Sequence, residues 1–332
     1  MAPITSGVNG PSGSVRYRDR VATYDILDEP DWRARADAHA ARVEPWIRPH
    51  LERRRAGRTH PVEDFCFTYY SYSPSRLRRW HPGAGIVLAG PSASRYLAHA
   101  GYRATRDGVT ANLDRLADRL STVRFVHTLL TATASRPAQL RCFGMHEWAM
   151  VYRDRPDQVR HASYPLRLGR DGTDEVIEAQ QIRCTHFDAF RFFTPSARPR
   201  NAEQLTRTDQ VATEQSGCLH ANMDLYRWAY KLAPFVPSEL VADCFALAHE
   251  IRAVDMRASP YDLRGLGYEP IRVETAAGRA QYVRAQREFA DRAAPLRQRL
   301  VAECDRLLAL VGSERGHSTG SPSTSTTMPA PL

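Results

Sequence analysis

The stretch from Ala277 to Leu310 most constrains the fold: Tyr282, Phe289, Leu296, Leu300 and Leu307 recur at four- or seven-residue intervals, with Leu308 beside them. That is the period of a long α-helix with one buried stripe. A kink is expected at Pro295, because proline removes a backbone donor from the helix. Asp28-Glu29-Pro30 reads as a second helix start, after which Trp32, Ala36, Val43, Ile47 and Leu51 follow at helical spacing. Pro45 and Pro49 predict a kink or a second short helix there. A third helix is expected from Ser238, after Pro237, with Val241, Cys244, Phe245, Ala248 and Ile251 on one stripe. The segment Asn222–Leu232 also reads as helix. One region differs. Tyr164-Pro-Leu-Arg-Leu-Gly, Arg170-Asp171-Gly172 and Asp174-Glu-Val-Ile-Glu alternate around an Asp-Gly pair, which predicts a small β-hairpin near residues 164–183. The expected fold is therefore mainly α-helical (α+β at most), as one compact domain over 15–311. The Gly/Ser/Pro-rich residues 1–14 and the Ser/Thr/Pro-rich tail 312–332 are expected to be disordered.

With 332 residues and 42% hydrophobic content, the chain can bury a substantial core. No apolar run approaches the roughly 20 residues that span a bilayer, and the N-terminus has no hydrophobic signal core. The expectation is a soluble, cytoplasmic protein with no membrane partner. Six widely spread cysteines without a Cys-x-x-Cys pair predict reduced thiols and argue against a zinc knuckle, although Cys184/His186 and Cys218/His220 repeat a Cys-x-His spacing. The net charge of +9 is compatible with nucleic acid. Lys231 is the only lysine, and the densest basic cluster, Arg53-Arg54-Arg55, falls at an expected helix end where cations also complement the carbonyl dipole.

Three segments carry the chemistry: Met145-His146-Glu147-Trp148, Cys184-Thr185-His186-Phe187-Asp188 and Cys218-Leu219-His220-Ala221-Asn222-Met223-Asp224. Each sets a histidine within four residues of a carboxylate, near aromatics such as Trp148, Phe190, Tyr226 and Trp228. Histidine titrates near neutrality and is the commonest metal ligand. On a helix, His220 and Asp224 share a face, within reach of a common metal, cofactor or substrate; a His–Asp pair anchoring two helices accounts for the spacing equally well. His146-Glu147 lacks the second histidine of a zinc-protease motif. His186-Phe-Asp188 fits the start of a two-histidine, one-carboxylate iron site, with His220 or His249 as third ligand. A heme site needs one proximal imidazole, His186 or His220, with His81 or His146 across the cavity and Arg183, Arg191 or Arg227 for the propionates.

Trp80-His81-Pro82-Gly83-Ala84-Gly85-Ile86 is similar to the turn of helix-hairpin-helix DNA-binding proteins, where Gly83 and Gly85 would let backbone N–H groups approach a phosphate. Pro91 and His81 depart from that pattern, and a plain tight turn is the simpler reading.

Phe67-Thr-Tyr-Tyr-Ser-Tyr-Ser-Pro, Arg76-Leu-Arg-Arg-Trp-His-Pro-Gly, His146-Glu-Trp-Ala-Met-Val-Tyr-Arg, Cys184-Thr-His-Phe-Asp-Ala-Phe-Arg, Cys218-Leu-His-Ala-Asn-Met-Asp-Leu-Tyr and Asp255-Met-Arg-Ala-Ser-Pro-Tyr-Asp together resemble an actinobacterial family commonly labelled 3-methyladenine DNA glycosylase. The resemblance spans about residues 30–310 and brings no catalytic motif with it. It implies a monofunctional hydrolase of DNA repair that needs no cofactor and releases an alkylated purine. A flipped base would sit among Trp80, His81, Trp148, Tyr226, Trp228 and Asn222. Asp188, Asp224 or Glu147 would stabilise the sugar cation or orient water, beside His186 and His220. Two other readings stand next to it. One is an iron or heme oxygenase of a small aromatic molecule, with His146, His186 and His220 as ligands. The other is a non-catalytic binding protein in which the boxes form a buried structural network.

Overall fold

The computed structural model of the chain describes residues 24–154 and 163–318. Five helices of 14 residues or more dominate the described residues: α1 (Glu29–Arg55), α2 (Leu120–Ser135), α3 (Leu219–Leu232), α4 (Ser238–Arg257) and α5 (Ala276–Ser318). The apolar stripes read from sequence are the ones that pack. α4 buries Val241, Cys244, Phe245, Ala248 and Ile251, and α5 buries Tyr282, Phe289, Leu300 and Leu307. α3 packs between α4 and α5, and α5 also packs along α2. This places α3, which carries His220 and Asp224, at the centre of the molecule. No described helix is long and apolar enough to cross a membrane.

Pro45 and Pro49 do not break α1, so the expected second short helix is absent there. Each proline removes one hydrogen bond. Trp32, Ala36, His39, Val43, Ile47 and His50 form a buried stripe that runs across both prolines and holds the helix continuous. α5 likewise continues through Pro295 and beyond residue 312 to Ser318. Gly312 and Gly316 are the breakers in that last stretch, and each helical glycine costs only about 1 kcal/mol. Residues 1–14 and 319–332, expected to be disordered, lie outside the described residues.

A four-stranded sheet flanks the helices: β1 (Asp25–Leu27), β2 (Ile86–Leu88), β3 (Tyr102–Thr105) and β4 (Gly108–Ala111), in the order β1-β2-β4-β3. β1 and β2 are parallel; the other pairs are antiparallel. The hairpin is therefore β3–β4, not the one expected near 164–183. There, residues Gly169–Glu178 form a helix. Thr173 and Ile177 are four apart and buried on its inner face, and the adjacent β-branched pair Val176-Ile177 imitates a strand only locally. The glycine turn leads into β2 rather than into a second helix, so the helix-hairpin-helix likeness does not extend to structure.

A small core of Trp32, Trp80, Leu88, Tyr96, Tyr102 and Val109 joins the sheet to α1, and the Trp32 indole N–H donates to the Ala89 carbonyl at 2.9 Å. Gly108 sits where β4 meets this core, with φ +148°. A Cβ there would lie 2.1 Å from the Leu88 carbonyl oxygen, a backbone atom fixed in β2. Gly108→Ala is expected to cost about 2–3 kcal/mol, within the range for backbone strain plus overpacking. Urea unfolding reads this directly; a loss below about 0.5 kcal/mol would show that the sheet yields at this point.

Candidate functional site

The three histidine boxes meet in space. Met145–Ala149 is a single helical turn, His186 stands just before the helical turn Phe187–Phe190, and His220 occupies the first turn of α3. The His146 and His220 rings are close to perpendicular with centroids 4.3 Å apart, and the His186 ring stacks on His220 at 5.5 Å. His146 and His186 are fully buried; His220 is half-buried.

Carboxylates enclose this triplet. His146 Nε2 lies 2.8 Å from Asp255 Oδ1. Arg252 donates to the other Asp255 oxygen at 2.9 Å and to Glu147 at 2.7 Å. His186 Nδ1 is 3.0 Å from Glu214, and its Nε2 is 3.5 Å from Asp224. Burial opposes charge on His186, but Glu214 and Asp224 outweigh it and hold the imidazole at about 10. Burial likewise opposes charge on His146, where Asp255 prevails and raises it well above its usual value. His220 goes the other way: burial and then the neighbouring His146 push it well below its ordinary value. A neutral imidazole thus stands between two cationic ones.

Next to this cluster lies a cavity of about 690 Å³. Its wall carries Arg76, Arg79, Arg119, Arg227 and Lys231, the imidazoles of His81 and His99, and four tyrosines, Tyr69, Tyr70, Tyr72 and Tyr230. No carboxylate is among its lining residues. Tyr72 and Tyr230 stack with centroids 5.0 Å apart. Arg227 is committed inward, bonding both Asp188 and Asp224, and Arg119 donates to the Ala233 carbonyl at 3.0 Å. Exposed Arg76 and half-buried Arg79 form no ion pair among the described residues. The cavity and the histidines are connected: the Tyr70 hydroxyl donates to Asp224 Oδ1 at 2.9 Å, and Asp224 in turn faces His186.

The residues expected to form one site separate into groups. His146, His186 and His220 converge, with Glu147 and Asp224 in the surrounding network. Asp188 faces Arg191 and Arg207 as well as Arg227. His81 lines the cavity, its Nδ1 2.9 Å from the Tyr102 hydroxyl. The remaining expected pocket residues do not line it. Trp148 is core, donating to the Ala258 carbonyl at 2.9 Å. Trp80 donates to Glu239. Tyr226 is fully buried, and Trp228 packs edge-on to Phe125. Asn222 accepts from Arg297 at 2.5 Å and donates to the Ser216 carbonyl.

Gly83 and Gly85, the expected phosphate contacts, belong to a turn that packs against the interior. Gly83 packs on Phe235 and Pro237, the Ala84 amide donates to the Phe235 carbonyl at 2.9 Å, and Arg306 grips the Ala84 carbonyl. None of the lining residues of this cavity is His146, His186 or His220.

Sequence reading missed the cavity's Tyr69-Tyr70-Ser71-Tyr72 run and its Arg76 and Arg79, although the run of three tyrosines followed by arginines was itself a signal. It also missed Asp255, Glu214 and Arg252 as partners of the histidines. Comparison with known family models, with curated proteins and with solved structures returns no match.

Proposed function

We propose that this chain binds nucleic acid at the tyrosine-lined cavity and acts there as an N-glycosylase on alkylated purines. The observation that carries this reading is the pair of uncommitted guanidinium groups, Arg76 and Arg79, in a carboxylate-free cavity walled by tyrosines. Such a wall offers cations to phosphate oxygens and aromatic faces to a base, the two requirements for holding a nucleotide. A volume of about 690 Å³ accommodates one extruded nucleotide.

A purine alkylated at N3 or N7 is already cationic and leaves without prior protonation, so the protein's tasks are holding the base and directing water. Tyr70 suits the second. Its hydroxyl proton is held by Asp224 and its oxygen remains free to accept from water, which brings the influence of a buried carboxylate to the cavity wall. Asp188 and Asp224 stand behind Arg227 rather than in the cavity, and their part is to fix Arg227 and Tyr70.

Arg79→Ala is expected to weaken binding of a short oligonucleotide about tenfold and to reduce the slope of log affinity against log salt by about one. Fluorescence anisotropy at several salt concentrations measures both. Incubation of the protein with methylated DNA and chromatography of the released bases tests the chemistry, with Tyr70→Phe expected to release purine more slowly than the parent. Absence of both binding at low salt and base release would overturn the reading.

A further inference from the structure

We infer that His146, His220 and Asp255 form a binding site for a divalent first-row transition-metal ion. One ligand-capable atom from each residue lies within 4.8 Å of the other two. Two imidazoles and one carboxylate are a donor set suited to zinc, ferrous iron or manganese, and three protein ligands leave further coordination positions open. The site is independent of the nucleic-acid reading, since neither its ligands nor its support lines the tyrosine cavity.

A second observation points to an ion rather than to a simple ion pair. His146 Nε2 and Asp255 Oδ1 are buried and only 2.8 Å apart, yet they do not meet in hydrogen-bonding alignment, and neither atom has a hydrogen-bond partner among the described residues. Buried polar atoms are almost always hydrogen-bonded, so two orphans side by side require an account. An ion bound to both would provide it, because each lone pair then points at the ion and not at the other atom.

The surroundings have the character of a ligand shell's outer layer. Asp255 uses its second oxygen on Arg252, which Glu147 holds in turn, so Oδ1 stays turned toward His146. His146 turns its other nitrogen toward Cys142 Sγ at 3.8 Å. Metal-binding imidazoles and carboxylates are positioned by such partners. Around the triplet, Arg252 pairs with Glu147 and Asp255, Arg227 with Asp188 and Asp224, and Glu214 faces His186.

The neighbouring group His186, Asp188 and Asp224 satisfies the same distance condition, but its place for a cation is taken. The Arg227 guanidinium already lies against both carboxylates. Asp255, not His186, therefore completes the set with His146 and His220.

The test uses the full-length protein. Metal content is measured by plasma mass spectrometry as purified, and then after chelation, dialysis and titration with Co²⁺ or Zn²⁺ alone. The expected result is about one equivalent bound per chain, with visible ligand-field bands for Co²⁺, and at least a tenfold loss of affinity in His220→Ala. His220 is the half-buried ligand, so this variant is the one expected to fold, which circular dichroism checks. Asp255→Asn serves as the second variant. His127→Ala, at a histidine paired with Asp305 on the surface, is expected to bind as the parent does. A folded parent that takes up no Co²⁺ or Zn²⁺, or a folded His220→Ala that binds as tightly as the parent, overturns the assignment.

Discussion

Arg252→Leu is expected to lower the unfolding free energy by about 3–5 kcal/mol, the usual cost of removing one partner from a buried charge group. Arg252 is fully buried on α4 and is the cation shared by Glu147 and Asp255, at 2.7 and 2.9 Å. Its guanidinium also lies 3.9 Å from the Phe65 ring centroid. Leucine fills part of the volume but leaves two buried carboxylates facing His146 alone, and His146 cannot balance both. The loss comes from the stranded charges more than from missing contacts, which a double-mutant cycle distinguishes. If that account holds, Glu147→Gln in the Arg252→Leu background costs less than it does in the parent, with a coupling of about 0.5–3 kcal/mol. Urea midpoints of the four proteins supply the numbers. A single-variant loss under about 1 kcal/mol would mean that water reaches these carboxylates, and the network would no longer count as interior.

α1, α4 and α5 were legible because each encodes its own burial in a stripe at helical spacing, opened in α1 by Pro30 and in α4 by Pro237; α2 was not anticipated. The strands were not, because β1 to β4 have only three or four residues each, too few for alternation to stand above chance. Asp171-Gly172 illustrates the limit. An Asp-Gly pair favours a turn locally, yet the contact of Thr173 and Ile177 with the interior decides for helix, and that contact is invisible in a local window. The same holds for the site. The three histidines were recognisable as residues, but the carboxylates that control them were largely not their sequence neighbours. His146 is governed by Asp255 more than by adjacent Glu147, and His186 by Glu214 and Asp224 rather than by Asp188. The cavity was harder still, since Tyr70 and Arg227 come from distant parts of the chain and meet only after α3 packs.

His81 provides the second large effect, and its sign follows from burial. The imidazole is buried on the cavity wall beside the Tyr102 hydroxyl, with no carboxylate in contact among the described residues, and burial pushes it down to about 3. In the unfolded chain the same side chain takes a proton near 6.5. Its contribution to stability is therefore complete above about pH 6.5 and is lost progressively as pH falls toward 3, at no more than about 1.4 kcal/mol per pH unit. Between about pH 6 and pH 4 this amounts to about 2 kcal/mol. His39, lowered in the same direction by burial, and Glu63, brought down to about 2 chiefly by its hydrogen bond to His249, add acid sensitivity of their own. The comparison is therefore made against His81→Gln, which keeps a hydrogen-bond acceptor near Tyr102 but does not titrate. The variant is expected to show a flatter fall in urea midpoint between about pH 6.5 and pH 3, by the equivalent of one proton, and parallel curves above about pH 7. Identical slopes would place a proton on His81 in the folded protein. That outcome would also change the electrostatics of the cavity. With His81 neutral, it does not add to the charge that Arg76, Arg79 and Lys231 present to a phosphate. With His81 charged, oligonucleotide binding would tighten as pH drops from about 7 to 6, and the His81→Gln substitution would abolish that change.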